Sequence, residues 1–442
     1  MARPALSWLL LALIISAPGC LAEALQDLAP VRATTAVEQV FIFPDLPLAT
    51  VQNRVLPGSI GNDRRILLGG VGSDLWHDPG APRMRFWMTT DRGPNGQVRV
   101  EGENRRTFPV PEFDPLILEV TLVGQEVRIE QVIPLRGRSG RPVSGLPNRE
   151  GADETPWDYR GRERLPFNQS GIDPEGLVRT SRGEFWLAEE YSPSLLQVSA
   201  EGVVQRRLVP QGVKLPQADY LVEETLPAIY ARRKSNRGFE GLAISRDEQT
   251  LYLALQSPLS NPTRAVGEQS RQTRILAVDA RSGLPVGEWI YRFDPAGEFA
   301  RGAIPDDMKL SALVWLNATT LLVLERTDEV AKLYLVDLSQ ATNILGSRWD
   351  DPATTPSLEA LADPAEAGIQ VLPKRLLVDL SRLPEMPGKI EGVAVVDAQT
   401  LAIANDNDFD IGEFDAAGNN QGKGVKSQVL LVRLAQPLPL AW

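Results

Sequence analysis

The chain has 442 residues, of which 43% are hydrophobic and 23% are charged, and its formal net charge is −11 at pH 7. This is the composition of a folded globular protein whose apolar residues suffice for a large core. The acidic balance argues against nucleic acid and against an anionic membrane surface as partners, whereas it is compatible with cation binding.

The N-terminus has the features of a secretory signal peptide: Arg3, an apolar run over residues 8–15, and then small residues. We therefore predict that residues 1–22 are a signal peptide and that the protein is exported, to the periplasm or outside the cell. The apolar run is too short to span a bilayer, so no transmembrane span is expected in the mature chain. Two cleavage sites stay open: cleavage after Ala22 leaves a free protein, whereas cleavage before Cys20 gives a lipid-anchored one.

Cysteine and histidine are scarce. Cys20 is the single cysteine and lies in the signal segment, so the mature chain has no disulfide and no thiolate metal site. His77 is the single histidine, and a surface position is the ordinary interpretation for a histidine in its Pro- and Gly-rich loop. No G-x-S-x-G elbow accompanies it, which argues against a serine triad.

The first predicted strand, "AVEQVFIF" near Val37, stands apart from a repeated pattern that follows it. Each repeat has an apolar strand, a polar turn, a second apolar strand and a polar cluster. The repeats begin at Asp63, Gly171, Asn236, Asp306 and Pro387. Three of them carry a Glu-Gly pair at the head of the first apolar strand: "GIDPEGLVRTSRGEFWLAEEYSPS", "NRGFEGLAISRDEQTLYLALQSPLS" and "PGKIEGVAVVDAQTLAIANDNDFD".

A second pattern of alternating strands follows each repeat, so that every unit offers four strands. These strands begin at Leu116, Leu195, Arg274, Lys332 and Val429. Two insertions interrupt the units. Residues 136–170 are rich in Arg, Gly and Pro and show no periodic spacing of apolar residues, which predicts a surface loop. Residues 347–368 include "SLEALAD", which indicates a helical turn.

Five detected four-stranded units predict an all-β fold, a β-propeller of five to six blades with long inserted loops. Residues 37–436 would form this single domain. The strand near Val37 is expected to pair with the last unit and close the ring, which removes exposed sheet edges. A β-sandwich with a second domain is the alternative.

The Glu-Gly pairs stand where the innermost strand of a blade begins, and these strands line the channel of a propeller. We therefore expect Glu175, Glu240 and Glu391 to gather at one channel mouth. The glycine after each glutamate would let neighbouring backbones approach closely. The polar clusters that end the second strands should lie on the same face, since the two strands of each pair are antiparallel.

Gathered carboxylates repel one another and require compensation. Three sources stay open: a hard cation, basic neighbours, or backbone hydrogen bonds. Because histidine and cysteine are absent from these clusters, Ca²⁺ is the expected cation. The candidate metal ligands are Asp91, Glu175, Glu189, Glu240, Glu391, Asp406 and Asp408.

The segments "DPEGL", "WLAEEYSP", "RGFEGLA" and "KIEGVAVV", followed by "NDNDF", resemble in this order the phytase-like domain of bacterial exported proteins, described as having esterase-like activity of phytase. The resemblance spans roughly Arg64 to Arg433. It implies a β-propeller and the hydrolysis of an ester or a phosphoester.

Two functional hypotheses follow. The first is an exported, calcium-dependent hydrolase whose substrate is a small anion such as a phosphoester. Its candidate catalytic residues are Glu175, Glu190, Glu240 and Glu391, and its candidate substrate-binding residues are Arg92, Arg237, Arg326 and Lys389. The second hypothesis is a propeller that binds a ligand or partner without turnover, since the fold hosts both.

Overall fold

The structure, a computed structural model, describes residues 34–441, so the predicted signal peptide and Cys20 lie outside the described residues. Its strands in chain order are β1 (Ala36–Ile42), β2 (Asp74–Trp76), β3 (Arg85–Thr89), β4 (Gly96–Val100), β5 (Glu103–Thr107), β6 (Leu116–Val123), β7 (Glu126–Pro134), β8 (Pro156–Trp157), β9 (Pro174–Arg179), β10 (Phe185–Glu189), β11 (Ser194–Val198), β12 (Val204–Pro210), β13 (Leu221–Leu226), β14 (Phe239–Ile244), β15 (Thr250–Leu255), β16 (Gln272–Asp279), β17 (Pro285–Arg292), β18 (Lys309–Asn317), β19 (Thr320–Arg326), β20 (Ala331–Asp337), β21 (Lys374–Asp379), β22 (Ile390–Asp397), β23 (Thr400–Asn405) and β24 (Gln428–Arg433).

The helices are few and short. The α-helices are α1 (Leu48–Val55) and α2 (Arg264–Gln269). The 3-10 turns are Ala228–Arg232, Ala296–Glu298, Pro305–Asp307, Leu338–Gln340, Arg348–Asp350, Leu358–Ala360, Pro364–Ala367, Leu380–Arg382 and Asp408–Asp410. Within residues 34–441, no helix combines the length and the apolar character that crossing a bilayer requires.

Five four-stranded blades surround one channel. Four of them follow the chain, as β2–β3–β6–β7, β9–β10–β11–β12, β14–β15–β16–β17 and β18–β19–β20–β21. The fifth consists of β22, β23, β24 and β1, because β1 pairs antiparallel with β24 and sets Val40 opposite Leu430. The predicted β-propeller is confirmed, with five blades in the described part of the chain and the first strand closing the ring.

The inner strands β2, β9, β14, β18 and β22 contact one another in this order around the channel. Glycine permits the contact: a Cβ on Gly176 would lie 2.6 Å from the carbonyl oxygen of Glu240 and 2.8 Å from the Cβ of Leu242. A side chain cannot be placed that close to a neighbouring backbone. Gly241 and Gly392 approach β18 and β2 in the same way.

The core lies between neighbouring blades. Every residue of β14 is buried, and Leu242 and Leu253 of this blade belong to one apolar cluster with Trp186 and Leu195 of the blade before it. Because neighbouring blades cover both faces of a sheet, such strands are continuous apolar runs. This is the pattern that made the repeats visible in the sequence.

The insertion over residues 136–170 is more ordered than a solvated loop. Its strand β8 pairs with β5, and with the β4–β5 hairpin it forms a three-stranded sheet beside the channel mouth. Val143 and Leu146 are buried. Asn148 donates its amide hydrogens to the carbonyl oxygens of Asn168 (2.9 Å) and Gly171 (2.7 Å). Internal hydrogen bonds therefore replace the water that a surface loop would use.

The insertion over residues 347–368 covers the third blade. It carries three 3-10 turns, and one of them, Leu358–Ala360, lies in the "SLEALAD" segment. Trp349 and Leu358 pack in one apolar cluster with Ile290 of β17.

Candidate functional site

A cavity of about 610 Å³ opens at the channel mouth where the inner strands begin. We call it the polar cavity, because all its lining residues are polar or charged, nine of them acidic and eight basic. Glu175, Glu240 and Glu391 all line it. Repetition of one short motif around the ring thus brings together carboxylates that lie far apart in the sequence.

Five carboxylates form an acidic cluster at this mouth: Asp91, Asp173, Glu175, Asp406 and Asp408. Oxygens of Asp91, Asp173 and Glu175 lie within 4.8 Å of one another, and so do oxygens of Asp91, Asp406 and Asp408. Asp91 follows β3, Asp173 and Glu175 stand at the start of β9, and Asp406 follows β23. Three blades therefore contribute to the cluster, with Asp91 common to both groups.

The first of these groups has too few donors for its charge. Glu175 is 8% exposed, and no residue of the described chain donates a hydrogen bond to its carboxylate or pairs with it. One oxygen of Asp173 is buried without a hydrogen bond. The nearest cation is Arg92, whose Nη1 lies 3.4 Å from that Asp173 oxygen. One guanidinium thus faces three buried carboxylates.

The excess of buried carboxylates over cations raises the pKa values of the cluster. Burial, reinforced by the neighbouring carboxylates, raises the pKa of Glu175 and that of Asp91 well above their usual range. Burial raises the pKa of Asp173 to about 7, although Arg92 opposes the shift. Burial and the charge of Glu240 raise the pKa of Glu190 to about 8. In the absence of a bound cation, these carboxyl groups keep their protons to a higher pH than exposed carboxyl groups do.

We expect the calcium-free protein to lose stability as the pH rises from about 4.5 to about 8. These carboxyl groups have higher pKa values in the folded state than in the unfolded state, so their contribution is complete below the unfolded pKa and disappears as the pH passes the folded values near 7 and 8. A calcium ion bound by these carboxylates would displace the retained protons, so its stabilising effect should be larger at pH 8 than at pH 5. Melting temperatures with chelator and with calcium, measured from pH 5 to 8.5, test this. An equal calcium-induced rise in melting temperature at pH 5 and at pH 8.5 would contradict this prediction.

The second part of the mouth is neutralised by arginine. Arg326 donates through Nη2 to Glu240 (3.2 Å) and to Glu391, and through Nη1 to Asp328 (3.0 Å). Its Nε donates to the Ser311 hydroxyl (2.6 Å). Arg326 was predicted to bind substrate, but these carboxylates already occupy its donors. It serves here as the counter-ion of two of the repeat glutamates.

Lys389, which directly precedes β22, supplies a counter-ion on the fifth blade. Its Nζ pairs with Asp406 and Asp408, and it lies 3.8 Å from Glu391. Asp406 and Asp408 therefore have a cation of their own, whereas the three carboxylates of the first group share the guanidinium of Arg92. Lys389, another predicted substrate-binding residue, is likewise engaged by the chain itself.

Glu189 and Glu190 point in opposite directions, as neighbours on a strand do. Glu190 lines the polar cavity and accepts a hydrogen bond from Gln256 Nε2 (2.8 Å). Glu189, a predicted metal ligand, does not line it. Its carboxylate is fully buried, pairs with Arg207 and accepts hydrogen bonds from the backbone and hydroxyl groups of residues 191–194. The structure thus places Glu189 inside blade 2, where Arg207 supplies its counter-ion.

Arg237 is the predicted basic residue that remains available. It lines the polar cavity, its Nη1 donates to the Ser257 hydroxyl (3.0 Å), and none of the described carboxylates lies within ion-pair distance. Arg92 also lines the cavity, but it is buried and held by Asn95 and Asn236. A ligand entering the cavity would meet Arg237 as a half-buried cation without a carboxylate partner.

The sequence patterns did not single out Asp173 or the pair of Arg106 with Glu154. A signal for Asp173 existed, because it stands two residues before Glu175 and alternate residues of a strand share a face. Arg106 and Glu154 form a two-pronged ion pair at 3.1 Å on the small sheet that flanks the cavity. Arg106 and Glu154 lie in two inserted segments that are not part of the repeated motif, so the repeat gave no indication of them. His77 is buried beside Phe86 and does not line the polar cavity.

A family model described as "Esterase-like activity of phytase" matches residues 66–409. This chain belongs to the phytase-like family. The match begins just before the first blade and ends after β23, so the phytase-like region includes every residue of the acidic cluster. The resemblance inferred from the repeated motifs is thereby confirmed.

One curated relative of this phytase-like chain is an uncharacterized secreted protein of Arthroderma benhamiae. It is 27% identical over 263 residues, which cover 49% of this chain and 50% of the relative. The chain thus spans about half the length of the curated relative that it matches.

Solved structures of low similarity include a calcium-binding protein, regucalcin, of Agrobacterium tumefaciens, with 12% identity, a TM-score of 0.33, and coverage of 85% of this chain and 94% of the other. Another is the PQQ-bound aldose sugar dehydrogenase of Streptomyces coelicolor, with 10% identity, a TM-score of 0.33, and coverage of 83% and 95%. The blade assignment of the phytase-like chain rests on its own strand pairing.

Proposed function

We propose that this chain is an exported, calcium-dependent hydrolase that acts on a phosphoester in the polar cavity. One observation carries the proposal: Asp91, Asp173 and Glu175 are buried within 4.8 Å of one another with one nearby guanidinium. The phytase-like family, described by an esterase-like activity, supports ester chemistry at this mouth.

The residues present fit calcium. Ca²⁺ takes six to eight oxygen ligands and tolerates irregular geometry, and the acidic cluster offers carboxylate oxygens from three blades. No histidine or cysteine lines the polar cavity, which disfavours softer metals. Asp91, Asp173 and Glu175 would hold the ion, because the charges of Asp406 and Asp408 are already met by Lys389. The ion would supply Lewis-acid stabilisation of charge on a phosphoryl oxygen.

Two further residues of the chain would act on the substrate. Arg237 would bind a phosphate oxygen, since its guanidinium has no carboxylate partner among the described residues. Glu190 would transfer the proton, because it lines the cavity, belongs to neither carboxylate group and has a pKa raised by burial to about 8. Glu240 and Glu391 are held by Arg326, so they would position that arginine and shape the cavity.

Export rests on separate observations. The signal-peptide pattern of residues 1–22 and the secreted fungal relative both support it. We place the protein in the periplasm or outside the cell, either free after cleavage at Ala22 or lipid-anchored through Cys20. The size of the N-terminal fragment and the mass of the mature protein distinguish the two.

Turnover of p-nitrophenyl phosphate and of p-nitrophenyl acetate, each with calcium and with chelator, tests the proposal. We expect calcium-dependent cleavage of the phosphoester. The R237Q variant should raise the KM for the phosphoester about tenfold and leave the KM for the acetate unchanged, because a charge-assisted hydrogen bond is lost. The R301Q variant, at an exposed arginine outside the cavity, is the matched control.

The other outcomes separate the alternatives. Cleavage of the acetate alone would contradict the phosphate-binding role of Arg237. No turnover of either ester, together with calcium-dependent thermal stabilisation, would favour a binding propeller. An unchanged melting temperature in calcium would contradict the metal site itself.

A further inference from the structure

The opposite mouth of the channel holds a second cavity of about 480 Å³. We call it the apolar cavity. Each inner strand contributes at least one aliphatic side chain to its lining, and the innermost ones are Leu75, Leu177, Leu242, Leu313 and Val393. In three of the strands, this aliphatic residue stands two positions after a glutamate that lines the polar cavity. Leu177, for example, stands two residues after Glu175, so both side chains face the channel.

The charged groups around this cavity already have protein partners. Arg179 pairs with Asp78 at 2.8 Å. Glu248 accepts hydrogen bonds from the backbone and hydroxyl of Ser181. Asp74 accepts backbone hydrogen bonds on both oxygens, and Arg246 is also engaged. An anionic ligand would lose its hydration here without gaining a free cation, because both arginines of the lining are already engaged. The carboxylate oxygens of Asp74 and Glu248 are in turn taken up by hydrogen bonds from the chain, which favours an uncharged ligand.

Two polar atoms of the lining residues are left without a hydrogen-bond partner, the Nε of Arg179 and the hydroxyl of Thr180, and Thr180 is the uncharged one of the two residues. Thr180 directly follows β9 and is 6% exposed, and its hydroxyl forms no hydrogen bond with any described residue. A buried hydroxyl ordinarily has a partner, so an unpaired one in a cavity wall indicates a missing ligand group. Trp76 and Trp315 complete the lining with half-buried aromatic rings.

We propose that the apolar cavity is a second binding site, for a compact, uncharged, apolar molecule with one group that hydrogen-bonds to the Thr180 hydroxyl. Its volume lies in the range of small-molecule sites, which are largely apolar with a few placed polar groups. The site is independent of calcium, since no residue of the acidic cluster lines it.

Binding of 1-naphthol, measured by its displacement of the neutral fluorescent probe N-phenyl-1-naphthylamine, tests the proposal. We expect saturable binding of one molecule per chain, unchanged by chelator. Val314 is a half-buried residue of the lining, and V314R should weaken binding at least tenfold. Val286 is a 51% exposed valine of β17 outside the cavity, and V286R should leave binding unchanged.

Two comparisons test the chemistry of the ligand. The T180V variant keeps the shape of the side chain, so it should weaken 1-naphthol roughly fivefold and leave naphthalene unaffected. Charged 1-naphthoate should bind at least tenfold more weakly than 1-naphthol. Absent saturation, or V314R binding equal to wild type in a folded variant, would overturn the site. Equal binding of naphthoate and naphthol would overturn the preference for an uncharged ligand. Failure of calcium-dependent hydrolysis would leave these results unchanged.

Discussion

Replacing Asp91 with asparagine is expected to abolish the calcium-dependent rise in melting temperature and to lower phosphoester turnover on the order of 100-fold. Asp91 belongs to both carboxylate groups of the acidic cluster, so its loss removes a ligand that no neighbour replaces. A 100-fold loss corresponds to about 2.7 kcal/mol of transition-state stabilisation, which is within the range supplied by a bound metal ion.

The same variant should show an effect of opposite sign on the calcium-free protein. Asp91 repels Asp173 and Glu175 in a buried site, so D91N should raise the melting temperature in chelator at pH 8. Calorimetry with calcium and with chelator measures both effects. D351N, at an exposed aspartate that accepts a backbone hydrogen bond from Ala353, is the control and should change neither. A retained calcium shift in D91N would contradict the proposed metal site.

The R207M variant is expected to lose about 3 to 5 kcal/mol of folding free energy. Arg207 and Glu189 are both fully buried, and the guanidinium also donates to Ser194, Asn148 and Tyr220. Removing the cation leaves a carboxylate in the core without its counter-ion, which is the costly way to break a buried pair. Such a loss is a large fraction of the stability of a typical domain.

Urea unfolding followed by tryptophan fluorescence measures this effect. R182M removes an exposed ion pair with Glu184, whose arginine side chain is 79% exposed, and should cost less than about 1 kcal/mol. The double variant R207M/E189Q should recover much of the loss, because it removes both charges. If R207M costs under 1 kcal/mol and instead lowers calcium affinity, Glu189 would belong to the metal site after all.

One three-residue motif builds both ends of the channel. In Glu175-Gly176-Leu177 the glutamate lines the polar cavity, the glycine contacts the next inner strand, and the leucine lines the apolar cavity. Two of the other inner strands repeat the arrangement with Glu240 and Glu391. A single alternation along a strand, carried around the ring, thus separates a charged mouth from an apolar one.

The predicted gathering of the glutamates used only this alternation and the repeat. Strand period and blade repetition are local properties, so they can be read from short segments. The same reasoning could have found Asp173 beside Glu175, and the leucine positions of the apolar cavity. It could not separate the roles of adjacent carboxylates. Glu189 and Glu190 are the same residue type at neighbouring positions, and they differ only in the direction in which each side chain points.

The sequence by itself determined the propeller, its closure by the first strand and the gathering of the three repeat glutamates at one mouth, because each follows from periodicity. The tertiary structure decided which of those charges are already neutralised. Arg326 meets Glu240 and Glu391 across 86 and 65 residues of chain, whereas Glu175 forms no ion pair with any residue between 34 and 441. Such pairings depend on which blades are neighbours and on how far each side chain extends. A local sequence pattern specifies neither of these.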